Sequence, residues 1–82
     1  MISVNVRLFA VARDQLGVGE TKLSLDDGAT ASMVVDYFVE THPSFSRWKS
    51  HLRLAVNSEY VDFNHPLRDG DEVAIIPPVS GG

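Results

Sequence analysis

The 82-residue sequence contains no cysteine. That absence excludes a disulfide framework, a thiolate metal site and a cysteine nucleophile. Positive charge is also scarce, because seven Lys and Arg stand against eleven Asp and Glu, for a net charge of −4. Nucleic-acid affinity relies on Lys and Arg to neutralise phosphates, so we expect a protein that does not bind nucleic acid. The negative charge favours basic protein surfaces as partners instead.

Long hydrophobic runs are missing as well. The first ten residues, MISVNVRLFA, alternate polar and apolar side chains and do not contain the apolar segment of a signal peptide. No run of residues approaches the length needed to cross a membrane. We therefore expect a cytoplasmic protein that does not associate with membranes.

The hydrophobic periodicity that is present predicts one domain over residues 1–82. Alternation over residues 2–9 indicates a half-buried strand whose core side carries Ile2, Val4, Val6 and Leu8. Leu23 and Leu25 indicate a second strand, which can pair with the first as a hairpin.

The segment ATASMVVDYFVETHP predicts a helix. Thr30 is expected to cap its start by accepting a hydrogen bond from a backbone N–H, and Pro43 marks its end. Four apolar side chains recur at helical spacing: Ala31, Val34, Val35 and Phe38.

Three further extended segments follow the helix. The first places Leu52, Leu54 and Val56 inward before a turn at Asn57-Ser58, the second is a short strand at residues 60–61, and the last carries Val73 and Ile75 on one face. The predicted class is α+β, with a mixed sheet of about five strands over one main helix.

Two apolar residues lie on the outward faces of the predicted strands. Phe9 falls on the polar side of the first strand, and Ile76 falls opposite Val73 and Ile75 on the last. If these strands are neighbours, Phe9 and Ile76 form an apolar patch, either ordinary exposed surface or a docking site. The three histidines lack metal-ligand spacing, so no metal site is predicted.

The sequence closes on PPVSGG, which we interpret as a flexible tail over residues 77–82. Pro77 and Pro78 favour an extended exit from the sheet because their φ is fixed and they have no N–H. Gly81 and Gly82 have no side chain and can enter a channel too narrow for a Cβ atom. Six residues reach at most about 20 Å.

The reactive group of such a tail is the carboxylate of Gly82. A terminal carboxylate is ionised at neutral pH and is a poor acyl electrophile. It must first become a mixed anhydride, most simply an acyl-adenylate made from ATP. This sequence has no Gly-rich phosphate-binding loop, so another protein is expected to consume the ATP. Sulfur could then attack to give a thiocarboxylate, or an amine to give an isopeptide.

The segments VRLFAVARDQLG, GATASMVVDYF and AVNSEYVDFNHPLRDGDEVAIIPPVSGG resemble the small subunits of molybdopterin synthase, a branch of the ubiquitin-like sulfur carriers. The resemblance covers essentially the whole chain. It implies a β-grasp fold and a sulfur-donating subunit that is not an enzyme on its own and binds no cofactor. This sequence differs from the family at Ile75 and Ile76, where aromatic residues are common in relatives.

The resemblance also implies partners and a site. A ubiquitin-activating-type adenylyltransferase would adenylate Gly82, a sulfurtransferase would convert it to a thiocarboxylate, and the tail would enter the large subunit. There it would give sulfur to cyclic pyranopterin monophosphate, within a heterotetramer of two small and two large subunits. The family positions expected at the interface are Phe9, Arg13, Ile76, Pro77, Pro78 and Val79, with Arg13 paired to an acidic residue of the partner.

Three other interpretations stay open at this stage. The chain could carry sulfur for another pathway, such as formation of the thiamine thiazole. It could be a ubiquitin-like protein modifier joined to lysines through Gly82. It could also be a small adaptor whose terminal glycines have no chemical role.

Overall fold

The computed structural model describes residues 1–9, 17, 19–43, 46 and 51–76. Within these residues the elements are β1 (Ile2–Leu8), β2 (Glu20–Leu25), α1 (Ala31–Thr41), β3 (Arg53–Val56), β4 (Glu59–Val61) and β5 (Glu72–Ile76). Every strand and the main helix predicted from the periodicity is present, and the class is α+β.

The five strands form one mixed sheet in the order β2-β1-β5-β3-β4. β1 and β2 are an antiparallel hairpin, and β3 pairs antiparallel with both β4 and β5. β1 and β5, which come from the two ends of the described chain, are parallel, with Val6 opposite Val73 and Leu8 opposite Ile75. This arrangement is the ubiquitin-like β-grasp, so the expected fold is confirmed.

The core lies between one face of the sheet and the helix. Alternate residues of each strand point into it, as strand geometry requires, and the apolar stripe of α1 covers them. The side chains that are almost completely buried include Val4, Val6, Val34, Val35, Leu54, Val73 and Ile75. The opposite face of the sheet is left without a covering layer among the described residues, and its side chains are available for a site.

The start of α1 differs from the expectation. Thr30 is the residue before the helix, but its side chain accepts no hydrogen bond from a helical N–H and instead lies 2.9 Å from the hydroxyl of Ser32. The first two helical amides, of Ala31 and Ser32, donate to the carbonyls of His65 and Phe63 at 2.9 and 2.7 Å. The loop before β5 therefore satisfies the groups that a capping hydroxyl would have bound.

Two turns fix where β5 lies along the sheet. Gly70 has a φ of 86°, and its N–H donates to the carbonyl of Ser3 at 2.7 Å. The Ser3 N–H in turn donates to the Asp69 carboxylate at 2.8 Å. On the other side, Asn57 lies in the tight turn between β3 and β4, where its φ is 52°. The Asn57 N–H donates to the Glu72 carbonyl at 2.8 Å, and the Glu72 N–H donates to the Asn57 side-chain oxygen at 3.0 Å. These bonds hold β5 in register between β1 and β3.

The loop-based cap makes a prediction about Thr30. Thr30→Ala should lower the free energy of unfolding by less than about 0.5 kcal/mol, whereas losing a true capping hydroxyl costs about 1 kcal/mol. Urea denaturation followed by circular dichroism measures the difference. Val34→Ala, which removes two methyl groups from a fully buried position, is the positive control and should cost at least about 1.5 kcal/mol. A Thr30→Ala loss as large as a full cap would contradict this account.

Candidate functional site

Phe9 and Ile76 lie together on the uncovered face of the sheet. Phe9 directly follows Leu8, the partner of Ile75 in the parallel pair, so Phe9 and Ile76 are the next residues in line on neighbouring strands. Both line one shallow groove of about 270 Å³. Phe9 is 42% exposed and Ile76 is half-buried. The apolar patch expected from the sequence is confirmed, while its role in docking stays a prediction.

The floor of this groove is made of small side chains. Ala74 of β5 lies opposite Ala55 of β3, and Ala55 lies opposite Tyr60 of β4. Tyr60 is 67% exposed and forms the far wall. We call the surface made of Phe9, Ala55, Tyr60, Ala74 and Ile76 the outer patch. Its members lie on β5, β3 and β4 and on the residue that follows β1, so the strand pairing of the sheet sets their relative positions.

Arg7 borders the outer patch on the β1 side. Its guanidinium lies 3.8 Å from the Glu20 carboxylate and 3.6 Å from that of Glu72. The same group sits 5.9 Å from the centre of the Phe9 ring, within the range of a cation–π contact. Exposed pairs of this kind contribute little stability. Their effect is to fix the position of Arg7 and to neutralise its charge within the chain.

Arg53 borders the outer patch on the other side. It is exposed and lies opposite Ile76 across β3 and β5. Its guanidinium lies 5.8 Å from the centre of the Tyr60 ring. Among the residues that the structure describes, no carboxylate forms an ion pair with Arg53. The two arginines therefore differ, because described carboxylates balance the charge of Arg7 but not that of Arg53.

The remaining predicted site residues lie outside the described part of the chain. They are Arg13, Pro77, Pro78, Val79, Gly81 and Gly82. The structure does locate the residue that precedes the tail, since β5 ends at Ile76 within the outer patch. Whatever docks on the outer patch therefore lies at the point where the chain enters residues 77–82.

Sequence reasoning missed five residues of this surface: Arg7, Arg53, Ala55, Tyr60 and Ala74. A signal was available for Arg7, Arg53 and Ala74, because each stands between two buried residues of the sequence. What could not be read from periodicity was the strand order, which decides that β3 and β4 extend the face shared by β1 and β5. Alanine is common on both buried and exposed faces, so Ala55 and Ala74 are recognised as the floor of a groove only when β3 and β5 are paired.

A second, more polar groove of about 380 Å³ lies beside the β3–β4 turn. Asp71 lines it, but its carboxylate already accepts hydrogen bonds from the Arg68 N–H and the Asn57 side-chain amide. These bonds hold the turns in place, so the groove is explained as structure. Within the described ranges no cluster of His, Asp and Glu is arranged to hold a metal ion. None of the helices described there has the length and apolar character to cross a membrane.

Comparisons with known proteins give one consistent family. The ThiS family model matches residues 6–82. The molybdopterin synthase sulfur carrier subunit of Chlamydomonas reinhardtii is 39% identical, over 99% of this chain and 100% of that protein. That of Arabidopsis thaliana is 38% identical, over 99% of this chain and 84% of that protein. The crystal structure of SAMP1 from Haloferax volcanii is 31% identical with a TM-score of 0.84, over 98% and 99% of the two chains.

The difference in ion pairing between Arg7 and Arg53 can be measured through the free energy of unfolding of single variants. Arg7→Gln should lower the free energy of unfolding by less than about 1 kcal/mol in low salt. The loss should shrink toward zero in about 1 M NaCl, where the Debye length is about 3 Å. Arg53→Gln removes the same charge and should show no such salt-dependent loss. Equal salt-dependent losses in the two variants would contradict the assignment of the ion pairs to Arg7.

Proposed function

This chain belongs to the ThiS family, and from that membership we propose that it carries sulfur on Gly82 for the synthesis of molybdopterin. Its relatives in plants and algae are molybdopterin synthase sulfur carrier subunits, which supports this branch of the family over the thiamine thiazole pathway. The observation that carries the proposal is structural. The outer patch includes Ile76, the last residue before PPVSGG, so a partner that docks there meets the chain where residues 77–82 begin, which supports the proposal.

The chemistry begins with the carboxylate of Gly82 as the terminal group. A partner adenylyltransferase joins it to AMP, with pyrophosphate released from ATP. Sulfide supplied through a sulfurtransferase then attacks the carbonyl carbon, which the adenylate has made electrophilic, and AMP leaves. The product is a thiocarboxylate, which is a far better sulfur donor than the original carboxylate. The chain itself contributes no catalytic side chain to these steps and acts as a non-catalytic subunit.

The transfer step takes place on a larger partner. The thiocarboxylate enters the large subunit of molybdopterin synthase, where its sulfur forms a bond to a carbon of cyclic pyranopterin monophosphate. Water then cleaves the acyl–sulfur bond, so the sulfur stays on the pterin and Gly82 returns as a carboxylate. The dithiolene of the product contains two sulfur atoms, so two donor events are needed for each molecule. This requirement fits a heterotetramer with two small and two large subunits. Gly81 and Gly82 keep the tip slim enough for a buried active site.

The outer patch supplies the docking surface for this complex. Four of its five members, Phe9, Ala55, Ala74 and Ile76, have wholly apolar side chains, and two arginines flank the patch. An interface of this composition has an apolar centre and a polar rim, which is the usual anatomy of a specific protein contact. A rigid sheet costs little entropy to dock, so binding free energy is available to hold the tail in the partner.

A second candidate function is supported by the likeness to SAMP1, since related structures from Haloferax volcanii and Methanosarcina acetivorans are small archaeal modifier proteins. In that function the Gly82 adenylate is attacked by a lysine amine and forms an isopeptide. The adenylation step is common to both functions. They differ in the acceptor, which is sulfur in the first and a protein lysine in the second.

Intact mass spectrometry tests the sulfur-carrier function. Incubation with ATP, the adenylyltransferase and a sulfur donor should shift the mass by one oxygen replaced by sulfur. A Gly82 deletion should show no shift, because the chain then ends on Gly81 and its carboxylate lies one residue short of the adenylyltransferase site. Full thiocarboxylation of the Gly82 deletion, or no shift in the intact chain with a proven active adenylyltransferase, would contradict the proposal. Gly82-linked adducts in cell lysate would support the modifier function instead.

The docking role of the outer patch has its own test. A Phe9→Ala, Ile76→Ala double variant should bind the large subunit at least about ten-fold more weakly, because buried apolar anchors dominate interface energies. Calorimetric titration measures the dissociation constant. A Met33→Ala, Tyr37→Ala variant is the matched control, since both residues are similarly exposed but lie on α1. If the first variant binds as tightly as wild type, the patch has been assigned to the wrong function.

A further inference from the structure

The two arginines beside the outer patch meet different electrostatic conditions. Arg7 is held between Glu20 and Glu72, so its positive charge is balanced before any partner arrives. Arg53 faces only the ring of Tyr60, and no described carboxylate forms an ion pair with it. In a chain with a net charge of −4, Arg53 is thus a cation at the border of the outer patch that no described carboxylate balances.

Docking on the outer patch must change the surroundings of Arg53. It lies opposite Ile76 across the strands, and its guanidinium rests against Tyr60, so two members of the outer patch are its direct neighbours. A partner that covers Ile76 and Tyr60 removes water from Arg53 as well. An arginine does not lose its proton in such a setting, and a buried charge without a counter-ion is strongly unfavourable.

We propose that Arg53 determines the specificity of docking by donating hydrogen bonds to an Asp or Glu side chain of the large subunit, an inference that rests on the function proposed above. The carboxylate would lie over the β3 side of the outer patch, beside the Tyr60 ring. The planar guanidinium suits a carboxylate because two parallel N–H groups meet its two oxygens. The Tyr60 ring holds the guanidinium in place before the partner arrives, which reduces the entropy lost on binding.

The same reasoning excludes Arg7 from this role. Its two carboxylate neighbours already occupy the guanidinium, and a third would be repelled by them. The partner is therefore expected to be mostly basic where it faces this acidic chain, with one acidic side chain opposite Arg53. A wrong partner with a uniformly basic surface would leave Arg53 against like charge, which discriminates against it.

Charge reversal with a matched control tests this pairing. Arg53→Glu and Lys22→Glu change the net charge equally, and both residues are exposed. Lys22 lies on the same face of the sheet, opposite Asn5, but on the outermost strand β2. Three strand spacings separate β2 from β3, or about 14 Å, which exceeds the Debye length of about 8 Å at physiological salt. Binding of the full-length chain to the large subunit is measured for wild type and both variants, with circular dichroism to verify folding.

Arg53→Glu should weaken binding at least about ten-fold more than Lys22→Glu, and the difference should narrow as salt is raised. Arg53→Lys, which keeps the charge without the planar fork, should lie between wild type and Arg53→Glu. Equal dissociation constants for Arg53→Glu and Lys22→Glu, with wild type binding normally, would overturn the pairing but leave the proposed function standing. Failure of wild type itself to bind an active large subunit would remove the proposed function, and this inference with it.

Discussion

The parallel pairing of β1 with β5 is the constraint on which the rest of this structure depends. It joins strands that are more than sixty residues apart in sequence, and it sets Phe9 beside Ile76 on the uncovered face. The register is held at the other end of the strands, where Asp69 and Gly70 bond to the backbone of Ser3. A shift of one residue would turn Val73 and Ile75 outward and Ile76 inward. Because Val73 and Ile75 are completely buried, the core opposes that shift, and the stability of the fold and the geometry of the site share one cause.

On the face of the sheet that α1 does not cover, apolar and charged groups have different roles. The outer patch offers contact area, while the arginines that flank it set how a partner is oriented. Exposed ion pairs such as those of Arg7 contribute little to folding, so their presence around Phe9 is better explained by the position they impose on the guanidinium. Within the described residues Arg53 has no such neutralising carboxylate, and its guanidinium lies near the Tyr60 ring. A surface that is rigid, apolar at its centre and unevenly charged at its border suits a carrier that must present the same tail to successive partners.

Hydrophobic alternation predicted the strands and the apolar stripe of the helix because burial imposes a period on each element independently of the others. Ala31, Val34, Val35 and Phe38 are all buried, as their spacing indicated. The cap at Thr30 was wrong because the loop carbonyls of Phe63 and His65 reach the helix start, a contact between segments thirty residues apart. Likewise, Arg53 and the floor alanines become a site only after β3 is placed next to β5. The burial pattern of each element could be predicted from the sequence. The loop carbonyls that bind the first helical amides could not, because they are distant in sequence. The chemical role of Gly82 came from its residue type and family resemblance, and it remains a prediction.

In the proposed function, this chain transfers a sulfur atom from Gly82 to a pyranopterin bound by its partner. A single-turnover reaction tests it most directly: the thiocarboxylated chain is mixed with the large subunit and cyclic pyranopterin monophosphate, and both protein mass and product are followed. The account predicts that the chain returns to the mass of its carboxylate form while molybdopterin accumulates. A thiocarboxylate that persists, beside a large subunit that is active with another sulfur carrier, would contradict it.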